Sequence, residues 1–564
     1  MDDKIKNIGI LLLYQLFFIQ IVTGILMHLN LPMTGLNWVI GLMLSYLLCW
    51  KVYHTEFKCL FIVIGLWIGA ISASILFPDF STDGQWYHQP MIYALVHGWN
   101  PVVQSHNTII SPDWNVNIWS DHYLKGMEIL QSSVVSLVGG YLETGKSINL
   151  IFPMVTWCIL FTCLPVITLN KFGNFGRKKQ LLYSFILIAP SITASQLFTY
   201  YIDWASYYSI LLLSISMLLF LKKRHKDSVI IYIAALYISI GVKFNLTFWI
   251  ALYMSLAFFC IYLQKSYRSG LKQFIIIGIF TGVSSVLITN YNPYITNIID
   301  HQNIMYPMGS DQIDPNFLQH GAEADYMHNW SRVEKVVYSF FSIPSIQHDY
   351  PGIGGLSDLF NGISNPAPVA GGWGVFFPLI FVFSLVIFIM SKRKRGKYIF
   401  GICATVLFIS LFLLPYGNSY RYLPFTSLIP VIMLCYSEYV QIPCYLRRIR
   451  RATYILLLLN FIVPLTLTGM VSLSNRVATD YYVKQIRKSD AEQRFVTVSW
   501  TFNYKVTLKN TCSKNVFLDE NSKAEYENSI NWGRAHIQPL PTYINIKAVD
   551  IQNDKNVLER LIVK

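Results

Sequence analysis

The charged residues best placed to do chemistry in this sequence lie at the edges of long apolar runs. Asp83 stands in Ser81-Thr82-Asp83-Gly84-Gln85-Trp86-Tyr87-His88, a few residues after one such run. Its carboxylate (or Thr82) can cap the helix suggested by Trp86, Tyr87, Pro90, Met91 and Leu95. It can equally accept a proton from a hydroxyl attacking a lipid-borne donor at the membrane surface. Asp203, in Tyr200-Tyr201-Ile202-Asp203-Trp204, is the one charge of a short aromatic turn. It reads either as a self-satisfied turn Asp or as a carboxylate facing substrate. Lys243 fills the break Lys243-Phe244-Asn245 between two apolar runs, and Arg421 lies in Asn418-Ser419-Tyr420-Arg421-Tyr422 between two others. A cation there suits an anionic headgroup such as a lipid phosphate; the alternatives are snorkelling or a local ion pair. Lys125, Lys146, Arg332 and Lys335 fall within long loops and read as ordinary solvated charges. Histidines gather at His88, His97, His106 and His122 in one loop and His301, His320, His328 and His348 in another. No pair has a spacing diagnostic of a metal site, so a divalent cation, Mg or Mn, would have to rest on Asp83 with other loop residues.

These residues are positioned by a membrane-spanning frame. The 564 residues are 54% hydrophobic and 13% charged, against roughly 25% charge in a soluble domain. Thirteen apolar runs, at 8–29, 37–50, 59–77, 147–169, 181–198, 205–221, 228–242, 246–263, 273–289, 374–390, 398–415, 423–440 and 453–471, read as crossings of about 30 Å of hydrocarbon. The runs 37–50 and 228–242 are the shortest. A soluble multidomain enzyme and a disordered chain are both excluded. The first run is too long for a signal-peptide core and lacks a small-residue exit, so no cleaved signal is expected.

Sorting the charge by side explains the net +14. The N-terminus and the connections near 51–58, 170–180, 222–227, 264–272, 391–397 and 441–452, with Glu438 just before the last, carry 24 basic and 5 acidic residues. By the positive-inside rule they face the cytoplasm. The opposite loops before residue 473 carry 6 basic and 15 acidic residues, and the tail carries 14 and 10. The basic surplus therefore sets orientation and does not call for nucleic acid. The N-terminus is expected inside, and the tail from 473 outside. Of nine cysteines only Cys512 falls in an exported region, so no disulfide within the chain is expected there.

Two domains follow: a polytopic part, 1–472, with long outer loops at 78–146 and 290–373, and a tail, 473–564. The segment 124–142 suggests a second interfacial helix, and loop 290–373 is rich in Gly and Pro. In the tail, Val496, Val498, Trp500, Phe502, Tyr504, Val506 and Leu508 alternate with polar residues, the period of a strand or hairpin. A second strand is expected at 543–551.

The ordered set of motifs resembles a family. It comprises Asp83-Gly84 with Tyr87-His88, then Gly98-Trp99-Asn100-Pro101, then Gly241-Val242-Lys243-Phe244-Asn245. Asn292-Pro293-Tyr294 with Asn297, His301 and Tyr306-Pro307 comes next, before Gly371-Gly372-Trp373-Gly374 and Ser419-Tyr420-Arg421-Tyr422-Leu423-Pro424. Over roughly residues 60–440 the chain is similar to the polytopic membrane glycosyltransferases of the GT-C fold, above all to uncharacterised bacterial members. The resemblance implies an all-α fold with large outer loops and a sugar donor on a polyprenyl-phosphate-type carrier. It implies a cell-envelope glycan or other acceptor on the outer face of the bacterial cytoplasmic membrane. Asp83 would be the catalytic base, Lys243 and Arg421 would hold the carrier phosphate, and His88, Asp203, Asn292, His301 and Tyr306 would line the substrate site. Many members carry paired acidic residues where this chain has Asp83-Gly84, and two extra spans precede its first loop. The competing readings are an O-antigen-type polymerase or ligase, and a flippase or transporter of lipid-linked glycans. Outer-loop arginines are too few for the first, and the second would favour an internal repeat, of which there is no sign.

Overall fold

Proline and glycine decide where the apolar runs stop being single helices. The computed structural model describes residues 2–107, 109, 117–168, 176–263, 268–308, 310, 323–352, 354–392, 396–413, 417–438, 440 and 442–488, with three short segments beyond. The helices are α1 Asp2–His28, α2 Leu36–Tyr53, α3 Phe57–Leu76, α4 Gln89–Val96, α5 Asn117–His122, α6 Gly126–Leu137, α7 Ser147–Thr168, α8 Arg177–Ile188, α9 Ser191–Gln196 and α10 Asp203–Leu221. They continue with α11 His225–Ile240, α12 Phe244–Tyr262, α13 Arg268–Ile288, α14 Tyr291–His301, α15 Arg332–Phe341, α16 Leu356–Ser364, α17 Phe377–Met390, α18 Gly396–Leu413, α19 Leu428–Glu438 and α20 Cys444–Lys488.

Eight of these (α1, α2, α3, α7, α10, α12, α13 and α20) are long and apolar enough to cross a membrane by length and composition. The stretches Phe377–Met390 and Phe400–Leu413 are apolar but shorter. The run 181–198 is two helices, because Pro190 keeps Ala189 out of the α region (φ −113°, ψ 51°) and α9 begins beyond it. The run 423–440 begins as a 3-10 turn, Pro424–Ser427, before α19. The short run 37–50 sits inside an 18-residue helix. α20 runs 45 residues, about 68 Å at 1.5 Å per residue, and passes through position 473 because neither proline nor glycine follows Gly469 within it.

Lipid gives no hydrophobic drive for helix association, so buried polar pairs and close backbone contacts hold such bundles. α1 is the central helix: Ile10, Leu11, Leu12 and Leu13 are all buried. Its Gln15 accepts from Trp67 Nε1 at 2.8 Å, and Gln20 donates to the Gly126 carbonyl at 2.8 Å. Asn37 donates to Thr23 at 3.0 Å. Each such bond contributes on the order of 1 kcal/mol. Around them Ile276, Ile279, Phe280, Phe248 and Phe61 stay exposed, the outer face expected of helices in lipid.

Segments that the charge pattern assigned to one side do meet. Lys4 bonds Glu56 at 3.0 Å, Lys6 lies 3.8 Å from Asp227, and Lys226 donates to the Val52 carbonyl at 2.5 Å. Glu438 similarly gathers Lys179 at 3.5 Å and Arg450 at 2.9 Å. The two helices expected in the membrane interface pack against each other, with Met91, Ile92 and Leu95 of α4 fully buried against Ile129 and Val135 of α6.

Beyond α20 the described strands are β1 Arg494–Val498, β2 Asn515–Phe517 and β3 Thr542–Ile544. β1 is central, parallel to β2 and antiparallel to β3. Most of the alternating run 496–508, most of the expected strand 543–551, His320 and Cys512 lie outside the described residues.

Candidate active site

Three helix starts and the turn that precedes Pro424–Ser427 bring Asp83, Asp203, Lys243 and Arg421 into one cluster. Asp203 opens α10 and is fully buried. Gln196, the last residue of α9, donates to Asp203 Oδ2 at 2.8 Å and accepts from the Trp204 amide at 3.2 Å. The break at Pro190 thus matters, since it turns α9 so that its end meets the start of α10. Lys243 is the N-cap of α12 in extended backbone conformation (φ −154°, ψ 147°), and its Nζ bonds Asp203 Oδ1. Arg421 bridges two carboxylates: Nε donates to Asp203 Oδ2 at 3.0 Å and Nη2 to Asp83 Oδ2 at 2.5 Å. Its guanidinium lies 4.4 Å from the centre of the Tyr201 ring, and Lys243 Nζ 5.8 Å from that of Tyr422. Tyr87 donates to Asp83 Oδ2 at 3.2 Å.

Charge in this cluster is balanced, two against two. The side chains of Asp83, Lys243 and Arg421 remain 18–20% exposed, so an incoming ligand can reach them. Burial works against the charge on Arg421, yet Asp83 and Asp203 hold its pKa well above the usual arginine value. Of the alternatives the sequence left open, Asp83 makes no capping bond to the turn it precedes, and both cations are ion-paired. An oxyanion could exchange with a carboxylate for the same N–H donors.

The other expected site residues sit elsewhere. His88 is buried, with Nδ1 2.6 Å from Glu128 Oε1. Asn292 Oδ1 accepts from Lys125 Nζ at 2.5 Å. The rings of His301 and Tyr306 stack with centroids 3.6 Å apart and flank His122. The segment that carries Lys125 meets the one that carries Lys243 through a backbone contact. Gly126 N donates to Gly241 O at 3.0 Å, and a Cβ on Gly126 would fall 2.7 Å from that oxygen. Only glycine lets the two backbones approach this closely.

Three lysines correct the sequence reading. Lys125 and Lys146, expected in solvent, are 1% and 0% exposed. Lys125 donates to the carbonyls of Asp121 and Tyr123, both at 2.9 Å, and burial lowers its pKa to about 7 against the pull of Asp121 and Glu128. Lys146 bonds Glu143 and the Phe77 carbonyl. Beside it Asp79 is buried, accepts from Ser81 Oγ at 2.7 Å and from Gln89 Nε2 at 2.9 Å, and makes no direct cation contact among the described residues. Burial raises its pKa to about 6; Lys146 opposes this and Glu143 adds to it. Nothing in the sequence marks a loop lysine as the centre of converging carbonyls. Lys335, too, pairs with Glu323 at 2.6 Å and is largely buried. Tyr201 and Tyr422 also join the cluster, and their position beside Asp203 and Arg421 in sequence was the available signal.

No protein-family model matches the chain, and no curated protein matches it. Among solved structures, the chain is similar to the crystal structure of ArnT from Cupriavidus metallidurans bound to undecaprenyl phosphate. The identity is 12% and the TM-score 0.45, over 86% of this chain and 97% of that one.

Proposed function

We propose that the protein is a GT-C-like membrane glycosyltransferase that moves a sugar from a polyprenyl-phosphate-type carrier to a cell-envelope acceptor. In this reading the chain crosses the bacterial cytoplasmic membrane thirteen times, with its long loops and tail outside. The observation that carries the proposal is the bridge of Arg421 between Asp83 and Asp203, with Lys243 on the same carboxylate. Two cations and one reachable carboxylate meet at the ends of apolar helices, where a lipid phosphate has to arrive because its tail cannot leave the bilayer.

The carrier phosphate takes N–H donors from Arg421 and Lys243, and Asp83 gives up its guanidinium partner. The freed carboxylate accepts the proton of an acceptor hydroxyl as that oxygen bonds the anomeric carbon. The bond from that carbon to the phosphate oxygen breaks, its electron pair leaves with the phosphate, and configuration inverts. The phosphate is already a competent leaving group and its charge is met by two cations, so the step needs neither a general acid nor a metal. A Mg or Mn ion at Asp83 would stand against the Arg421 guanidinium, and the donor set does not fit one.

Purified protein offered a polyprenyl-phosphate sugar and an envelope-lipid extract tests the reading. Transfer with release of carrier phosphate is expected, and Asp83→Asn should reduce it by about 10²–10⁴-fold at unchanged membrane abundance. Full activity in a well-expressed Asp83→Asn protein would sink the mechanism, and lipid translocation without transfer would replace it with a flippase.

A further inference from the structure

We propose that His106, Asp121 and His122 form a binding site for a divalent transition metal of the zinc class, which staples the two long loops together. One ligand atom from each lies within 4.8 Å of the others. His106 Nδ1 and Asp121 Oδ2 are 3.3 Å apart, and two ligands of a tetrahedral zinc at 2.0–2.1 Å sit about 3.3 Å from each other.

The surroundings orient two of the three, His122 and Asp121, for this task. Asn297 Nδ2 donates to the Tyr306 carbonyl at 2.9 Å, which fixes its Oδ1 as an acceptor. His122 Nδ1–H therefore donates to that oxygen at 2.8 Å, leaving Nε2 with a lone pair for a metal. A ligating histidine whose other nitrogen is held by a carbonyl or carboxylate is the usual arrangement around zinc. Asp121 Oδ1 is held from the other side by the Asn107 amide at 2.9 Å, and the Asp121 side chain is only 7% exposed. Its side chain makes no lysine or arginine ion pair among the described residues; Lys125 takes its backbone carbonyl instead. A buried carboxylate in that state favours a cation. His301 supplies a second observation. Its ring centroid is 4.9 Å from that of His122, and its Nε2 is buried with no hydrogen-bond partner among the described residues. Water or His301 can take the fourth position.

Two imidazoles and one carboxylate suit zinc, which accepts nitrogen readily; Mg and Ca prefer oxygen alone. The metal would fasten residues 106–107 to α5. Through Asn297 and the Tyr306 carbonyl, it would also fasten the loop 78–146 to the segment after α14. The site is separate from the four-charge cluster, and the proposal stands whether or not the chain transfers sugar.

Tag-free full-length protein in detergent, stripped with chelator and dialysed against zinc, should bind one zinc per chain. Cobalt in its place should give the visible absorption of a four-coordinate ion. His106 is 68% exposed, so His106→Ala should fold normally and lose at least about tenfold in zinc affinity. Asn297→Ala, which frees the His122 ring, should lose about 10–100-fold. Less than stoichiometric zinc on the wild type, or wild-type affinity in folded His106→Ala, overturns the proposal.

Discussion

Asp79 and Asp83 are four residues apart, yet they belong to charge clusters of opposite design. Asp83 joins Asp203, Lys243 and Arg421, where two negative charges meet two positive ones and three of the four side chains touch solvent. Asp79 lies beside Glu143 and Lys146, where Glu143 takes the one ammonium and also accepts from the Asp79 amide, and all three are 7% exposed or less. The first cluster can exchange partners, since an arriving anion finds donors that stay compensated. The second is short of one positive charge, and burial, with Glu143 beside it, raises the Asp79 pKa to about 6. Gly84 separates the two, because a Cβ there would fall 2.1 Å from Asp79 Oδ2. Balance with access suits binding and chemistry; imbalance with burial suits a lock between the end of α3 and the start of α7.

Lys146→Met breaks the buried cluster most severely. It leaves two buried carboxyls without a cation and should lower stability by about 3–5 kcal/mol, seen as a lower melting temperature in detergent and poor membrane yield. A wild-type melting temperature would mean that the lock bears no load. A smaller effect comes from the proton on Asp79. Unfolded, this carboxyl titrates near pH 4; folded, near 6. Between those values the folded state holds the extra proton, so its stability contribution is present at low pH and declines as pH rises from about 4 to about 6. Asp79→Asn should remove that slope, and melting curves of variant and wild type that run parallel across this window would contradict it. The least effect belongs to the rim. Arg421→Lys keeps the charge count but reaches only one carboxylate at a time, so stability should hold while the KM for lipid donor rises roughly tenfold. A large loss of stability instead would make the rim a lock as well.

Much of the cluster was legible in the sequence, for a definite reason. A charge at the edge of an apolar run is conspicuous, and Asp83, Asp203, Lys243 and Arg421 each stood at one. Asp79 and Lys146 also stood at the edges of apolar runs and Lys125 in a polar stretch, but burial leaves no local trace, so the sequence did not set them apart. His88, Asn292, His301 and Tyr306 were grouped with the site by motif order, but contacts across the fold place them around Lys125 and His122 or against Glu128. Among the helices, eight runs have the length and apolarity the sequence implied, while Pro190 and Pro424 split or tightened two others.

The sequence by itself determined the membrane character of the chain, the segregation of basic connections and the identity of the four rim charges. Hydropathy and charge are sums over neighbouring residues, and they survive being read in order. The tertiary structure decided the pairings, because Arg421 and Asp83 are 338 positions apart and meet only when the helix ends converge. It also decided which lysines are buried, since the carbonyls and carboxylates that surround Lys125 and Lys146 come from segments brought together by packing.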